Sequence, residues 1–234
     1  LELHDKSNFK IFAYSLGPNE QDDMTLRIKK TVDVFRDVRN YSDDDIFALA
    51  REDNIDISID LLGYTGDARP SIFSLRISPI QISYLGFAGT MGHDMMDYIL
   101  VDKILIPENE QKFYSEKILH MKNNAYCCDD TLKIKESKKK RKDYKLPENG
   151  FIFACFNNNF KISPSEFDIW MNLLKNVKDS YLWLKISNGL ARENLLKEAN
   201  TRGVSSEKII FAEYVSFEEH IQRQSFADLF LDTF

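Results

Sequence analysis

The sequence predicts an α/β protein of parallel, helix-covered sheets, and three observations carry that expectation. In the second half, short apolar runs such as Phe151 to Cys155 alternate with helix-length segments, the pattern of β-α-β units. In the first half, two strand-like runs lead into glycine-rich turns, GYTGDARP at 63–70 and GFAGTMG at 86–92. Helix starts are marked by a serine with an acid three residues on: Ser42 and Asp45, Ser163 and Glu166, Ser216 and Glu219.

A chain of 234 residues with 43% hydrophobic content can bury one large core or two small ones. Its net charge of −6 argues against a general nucleic-acid binder. The three cysteines (Cys127, Cys128 and Cys155) hold no CxxC spacing, so neither a zinc site nor a disulfide framework is suggested. No apolar run reaches the length of a membrane span and no signal peptide is read at the start. A reduced, cytoplasmic setting is expected, with no membrane and no nucleic acid as partner. The chain opens on Leu1 rather than methionine and stops at Phe234 directly after an apolar strand. Both ends read as cut.

Taken in order, Phe9 to Ser15 reads as a strand, GPNEQDD as a polar loop and Met24 to Asp33 as a helix. The Ser42 cap predicts a second helix through Arg51 with Ile46, Leu49 and Ala50 on one face. Ile55 to Leu62 reads as a strand in which Asp56, Ser58 and Asp60 alternate with isoleucines. That polar face is either the wet side of an edge strand or a face turned to a site. Arg69, in the first glycine loop, suits an acidic neighbour better than a phosphate. A short helix near Ile72 to Arg76 precedes a strand from Pro79 to Leu85 and the second glycine loop. There Gly89 lets backbone approach a ligand and the Thr90 hydroxyl can hydrogen-bond a sugar or phosphate. The loop is not GxGxxG, which disfavours a dinucleotide. Tyr98 to Asp102 and Lys117 to Met121 read as strands around a helix at Glu110 to Ser115. His93 and His120 stand alone, without metal-ligand spacing.

Residues 131–145 carry eight basic side chains, including Lys138 to Lys142 without interruption. A solvated linker is favoured over a polybasic contact, dividing a first lobe at 1–130 from a second at 146–234. The second lobe reads as strand, helix, strand (Tyr181 to Ile186), helix (Arg192 to Arg202), strand (Lys208 to Ala212), helix (Glu218 to Gln224) and strand (Ala227 to Leu231). Gly203 stops a helix, and Trp170 and Trp183 are core. Between the strand ending at Cys155 and the helix capped by Ser163 lie Asn157, Asn158, Asn159, Phe160 and Lys161. A strand end feeding a helix N-terminus is where open α/β sheets bind anions, and Lys161 adds a point charge suited to phosphate. Spacing alone favours a plain polar loop. His220 and Arg223 lie three apart on one helix face, where a base could stack or hydrogen-bond; spacing alone again favours an ordinary surface helix.

Whole blocks, in one order, go further. LLGYTGDAR, SLRISPIQISYLGFAGTMG, DYILVDK, YSEKILHM, FNNNFKISPSEFDIW, SYLWLK, EEHIQR and ADLFLDT resemble the catalytic region of the O-linked N-acetylglucosamine transferase (O-GlcNAc transferase/SPINDLY) family. The resemblance covers nearly all of the chain except the charged insert near 130–145. It implies two Rossmann-like lobes in the GT-B glycosyltransferase architecture. It implies an inverting, metal-independent transfer from a UDP-sugar donor, UDP-N-acetylglucosamine, to serine or threonine hydroxyls of a protein or peptide acceptor. No cofactor is expected, and the parent chain is expected to carry helical TPR-type repeats.

Residue by residue, Lys161 falls on the family lysine that contacts the diphosphate and is needed for transfer. Asn158 falls where many members have glutamine, beside the same phosphate and sugar. His220 matches the histidine that packs against uracil and Arg223 the arginine that reads its edge, while Gly89 and Thr90 sit in the loop near the sugar. Phe217 stands where some members place a ribose lysine, and Asp56 and Tyr64 where members variously place a histidine. The family's HPxxH-like histidine would precede Leu1; its HTT segment and ribose aspartate would follow Phe234, so these residues alone are expected to transfer no sugar. GDP-fucose-dependent transfer, also known in this family, and a non-catalytic nucleotide-sugar scaffold are the competing expectations.

Overall fold

The computed structural model describes residues 1–18 and 22–233. It divides into two compact units, Leu1–Cys128 and Asp129–Phe234. Part of the polar loop expected after the first strand, residues 19–21, lies outside the described residues.

In the first unit β1 (Phe12–Ser15) pairs in parallel with β2 (Val34–Asp37). A parallel four-stranded sheet then follows chain order: β3 (Ile57–Asp60), β4 (Ile80–Tyr84), β5 (Tyr98–Val101) and β6 (Lys117–His120). Helix α1 (Asp23–Thr31) is capped by Asp22 and α2 (Asp43–Glu52) by the capping box of Ser42 and Asp45. Ile46 and Ala50 of α2 pack with Val38, Ile72 and Ile77. The short α3 (Ser71–Ser74) adds Ile72 to this core. The helix expected at 110–115 is a 3-10 turn, Glu108–Phe113. Strand β2 was not anticipated, although its Val34 and Phe35 carry β propensity directly after a helix end.

The alternating strand is inverted relative to both expectations. In β3, Ser58 and Asp60 are buried while Ile57 and Ile59 are 47% and 50% exposed. Over β3 itself the polar face is turned into the fold, while Asp56, just before the strand, is exposed. Ser78 Oγ donates to Ser58 Oγ at 2.7 Å, and Asp60 Oδ1 accepts the Leu62 and Gly63 amides at 2.9 and 3.1 Å. The fully buried Gln81 completes the layer: its Oε1 accepts the Ile77 amide, and its Nε2 donates to the Phe73 and Met95 carbonyls. Ser58, Ser78, Gln81 and Asp60 Oδ1 thus have partners, which offsets the desolvation penalty of isolated groups, whereas Asp60 Oδ2 is buried without one.

In the second unit the parallel sheet runs β10 (Leu229–Phe230), β7 (Phe151–Cys155), β8 (Ser180–Leu184) and β9 (Ile209–Phe211). Helix α4 (Pro164–Asn176) packs Phe167, Trp170, Met171 and Leu174 on Phe153, Leu182 and Leu184. Helix α5 (Gly189–Thr201) adds Ala199, and Gly203, at φ +73°, turns the chain back. The other sheet face holds Ile152, Ala154, Trp183, Ala212 and Leu146. Helix α6 (Phe217–Arg223) is capped by Ser216.

The second half of the basic stretch is not a solvated linker. Residues 141–144 form a 3-10 turn, and Lys145 takes the left-handed conformation at φ 60°. The Tyr144 ring packs 5.7 Å from Trp183 and 5.4 Å from Phe226. Arg141 bridges Asp228 at 2.9 Å and donates to the Gly150 carbonyl. The acidic residues of the unit had supplied, unseen in the sequence, partners for the basic run.

Candidate functional site

The carboxyl ends of β7 and β8 gather the polar residues of the second unit. After β7 the chain passes through Phe156, Asn157 and Asn158 into a 3-10 turn at Asn159–Lys161. Asn158 and Lys161 are both exposed. The Asn157 amide donates to Asp232 Oδ1 at 2.7 Å and to Thr233 Oγ1 at 2.9 Å, tying the β7 exit to the β10 exit. The Asp232 carboxyl is held below the usual range by the Thr233 amide, by Asn157 and, more weakly, by the Lys161 charge.

The N-terminus of α4 offers less than expected. Its capping box uses the Glu166 amide on Ser163 Oγ and returns Glu166 Oε2 to the Ser163 amide at 2.7 Å. Pro164 has no N–H and the Phe167 amide bonds the Ser163 carbonyl, which leaves the Ser165 amide. The cap that predicts the helix thus also occupies most of the N–H groups an anion would use there.

His220 and Arg223 do meet. Arg223 is 1% exposed, and its Nε and Nη2 lie 3.1 and 2.8 Å from His220 Nδ1. A guanidinium only donates, so Nδ1 must accept and the ring proton sits on Nε2. Burial, then the charges of Arg223 and Lys185, push the His220 pKa down, which favours the neutral ring. Arg223 Nη1 donates to the Glu213 carbonyl at 2.7 Å, and its guanidinium stacks 5.0 Å from Phe156 and 5.7 Å from Trp183. The His220 ring itself lies 5.3 Å from Phe156. Arg223 is thus a buried support for His220 as well as a wall of a recess of about 210 Å³. Tyr144, Trp183, Val215 and Glu219 also line that recess. The Trp183 Nε1–H is buried without a hydrogen-bond partner.

Gly89 and Thr90 belong to the first unit. Thr90 Oγ1 donates to Glu116 Oε2 at 2.7 Å and accepts the Gly92 and Ser115 amides at 3.0 and 3.2 Å. One proton and two lone pairs are then all committed, so the loop has backbone rather than this hydroxyl to offer a ligand. Glu116, fully buried, takes the Met91 amide at 2.6 Å on its other oxygen. Gly86 is required where it stands, since a Cβ there would lie 2.2 Å from the Leu61 carbonyl oxygen. Glu116→Gln would turn an amide N–H towards a threonine oxygen with no lone pair left. It should destabilise the first unit by about 1–3 kcal/mol, read as a fall in its unfolding midpoint. An unchanged midpoint would show that the loop does not depend on the carboxylate.

Elsewhere Arg69 pairs with Asp43, as its acidic-neighbour reading anticipated. His120 contacts the Ile106 carbonyl and His93 sits beside Asp94. Among the described residues no group of three His, Cys, Asp or Glu side chains could hold a metal ion, and no helix is long and apolar enough to cross a membrane. Sequence reasoning missed Lys185, Glu116, Tyr144 and the Asn157–Asp232 tie. For Lys185 the signal was its place directly after β8; the other three depend on long-range contacts.

The chain is similar in sequence and fold to known proteins. The chain matches the family model of Glycosyl transferase family 41 over residues 1–140 and 133–234. It is 38% identical over 236 residues to the probable UDP-N-acetylglucosamine–peptide N-acetylglucosaminyltransferase SEC of Arabidopsis thaliana, covering 99% of this chain and 24% of that protein. To the probable UDP-N-acetylglucosamine–peptide N-acetylglucosaminyltransferase SPINDLY of Oryza sativa subsp. japonica it is 28% identical over 245 residues, covering 100% and 26%. A lysine-to-methionine mutant of Thermobaculum terrenum O-GlcNAc transferase superposes with a TM-score of 0.86 at 25% identity, over 99% of this chain and 44% of that one. Parallel sheets with their polar residues at the strand ends, and this likeness, define a glycosyltransferase catalytic region of the GT-B class. The chain belongs to Glycosyl transferase family 41. It spans about a quarter of the length of the curated relatives it matches.

Proposed function

We propose that this region serves a protein O-linked N-acetylglucosamine transferase acting in the cytoplasm. The donor is UDP-N-acetylglucosamine and the acceptor a serine or threonine hydroxyl of a protein held by helical repeats of the longer polypeptide. The acceptor oxygen attacks the anomeric carbon from the face opposite the diphosphate, the C–O bond to the diphosphate breaks, and UDP leaves while the hydroxyl proton passes to water. The observation that carries this reading is an exposed lysine after one strand of the sheet together with a neutral His220 ring held by the buried Arg223 guanidinium, which lines an aromatic-walled recess. Lys161, with Asn158 beside it, neutralises the leaving diphosphate, and no metal ion is assigned a role. His220 offers an uncharged ring face and an Nε2–H to the uracil. The relatives, named as UDP-N-acetylglucosamine–peptide N-acetylglucosaminyltransferases, support the same donor and a peptide acceptor.

Titrating UDP and GDP into the full-length protein tests it. UDP should bind more tightly, and His220→Ala should weaken UDP roughly tenfold, the worth of one good contact. Because the folded pKa of His220 lies below the ordinary 6.5, its neutral form is fully present above that value. As pH falls from there through the folded pKa the ring takes a proton, Nδ1 loses its lone pair to Arg223, and UDP affinity should drop. Tighter GDP binding would replace this donor by a GDP-sugar.

A further inference from the structure

The basic stretch has no part in the chemistry proposed above, yet it reaches the helix that carries His220 and Arg223. Helix α6 spans Phe217–Arg223, seven residues, too short to hold its shape without outside contacts. Ser216 caps its first turn through the Glu219 amide at 3.3 Å. The Glu219 side chain turns the other way and is held by two residues of the basic stretch. The Tyr144 hydroxyl donates to Glu219 Oε1 at 3.1 Å, and the Lys139 ammonium pairs with the same oxygen while lying 5.4 Å over the Tyr144 ring. Lys135 reaches the adjacent Glu218 at 3.1 Å. Tyr144 is itself pinned against Trp183, the side chain on which the Arg223 guanidinium stacks. Arg223, with no carboxylate at ion-pair distance among the described residues, sits one helical turn beyond Glu219. Lys139, Tyr144, Trp183, Glu219 and Arg223 line one recess.

We propose that Lys139 and Tyr144 are positioning residues of the nucleotide recess. They anchor Glu219, and through it the first turn of α6, so that His220 and Arg223 keep the mutual geometry a base requires. The inference rests on the assignment of His220 and Arg223 to the base. It gives the polybasic run an intramolecular task, in which its charges are spent on Glu218, Glu219 and Asp228 rather than on a nucleic acid. An ion pair at the surface weakens with salt whereas the phenol contact and ring packing do not. The anchor should therefore be partly salt-sensitive.

Calorimetry on the full-length protein with UDP and with inorganic pyrophosphate separates the possibilities. Pyrophosphate reports the Lys161 crest alone, so a general loosening of the unit would weaken both ligands. Tyr144→Phe and Glu219→Gln should each weaken UDP about five- to tenfold and leave pyrophosphate unchanged. Their double variant should be little worse than either single one, because both cut the same contact. Lys139→Met should weaken UDP at low salt and match the unmodified protein at high salt. If Arg223→Lys weakens UDP while Tyr144→Phe and Glu219→Gln do not, the anchor is refuted and the base assignment stands. If neither Arg223→Lys nor His220→Ala affects UDP, the base assignment fails and takes this inference with it. Equal loss of UDP and pyrophosphate in Glu219→Gln would also refute it, since the effect would then be on the whole unit.

Discussion

Replacing Lys161 with methionine in the full-length protein is expected to lower kcat by about 10²–10³-fold, the loss seen when one preorganised donor to a developing anion is removed. Methionine keeps the unbranched stem and deletes only the charge, so the fold should be untouched. The size follows from how few other donors the crest supplies. The α4 capping box has absorbed the Glu166 amide, Pro164 has none and the Phe167 amide is spent within the turn. Charge on the leaving diphosphate grows in the transition state, so kcat should suffer more than the KM for donor. Single-turnover transfer of a radiolabelled sugar to a protein acceptor reads it directly. Turnover near that of the unmodified protein would remove Lys161 from the chemistry.

The second large effect is structural. Trp183 is fully buried, with the Phe156 ring at 5.0 Å, the Tyr144 ring at 5.7 Å and the Arg223 guanidinium stacked at 5.7 Å. Trp183→Ala leaves a cavity the size of an indole beneath the recess and should destabilise the second unit by about 3–5 kcal/mol. That corresponds to a fall in midpoint on the order of 15 °C for a unit of this size. Trp183→Phe should cost much less, because it keeps ring packing and removes an N–H that is buried without a partner. Thermal unfolding followed by near-ultraviolet circular dichroism distinguishes the two. Similar midpoints for Trp183→Ala and the unmodified protein would mean that the ring is dispensable to the core.

Much of this was legible in the sequence because it was local. Short apolar runs bounded by turn residues located nine of the ten strands among the described residues. Serine-acid pairs located the starts of α2, α4 and α6, since a serine cap closes within four residues; α2 and α4 complete the capping box, whereas in α6 the Glu219 carboxylate turns to Tyr144 and Lys139 instead. Site residues beside such elements, Lys161 after β7 and His220 on α6, could be singled out for the same reason. Ordered blocks across its length carried the family.

Burial direction and hydrogen-bond saturation were decided only by the tertiary structure. Alternation along β3 shows two faces but cannot say which is inside; Ser78 and Gln81, twenty or more residues away, decide for the polar one. A threonine in a glycine loop reads as a free hydroxyl until Glu116 fills its bonding capacity. Arg223 reads as a surface cation until Phe156, Trp183 and the Glu213 carbonyl enclose it. A run of lysines reads as solvated until Glu219 and Asp228, some 80 residues on, are folded against it. Local spacing determines which element forms, because its hydrogen bonds close within a few residues. What each side chain then touches depends on partners whose distance along the chain has no relation to their distance in space.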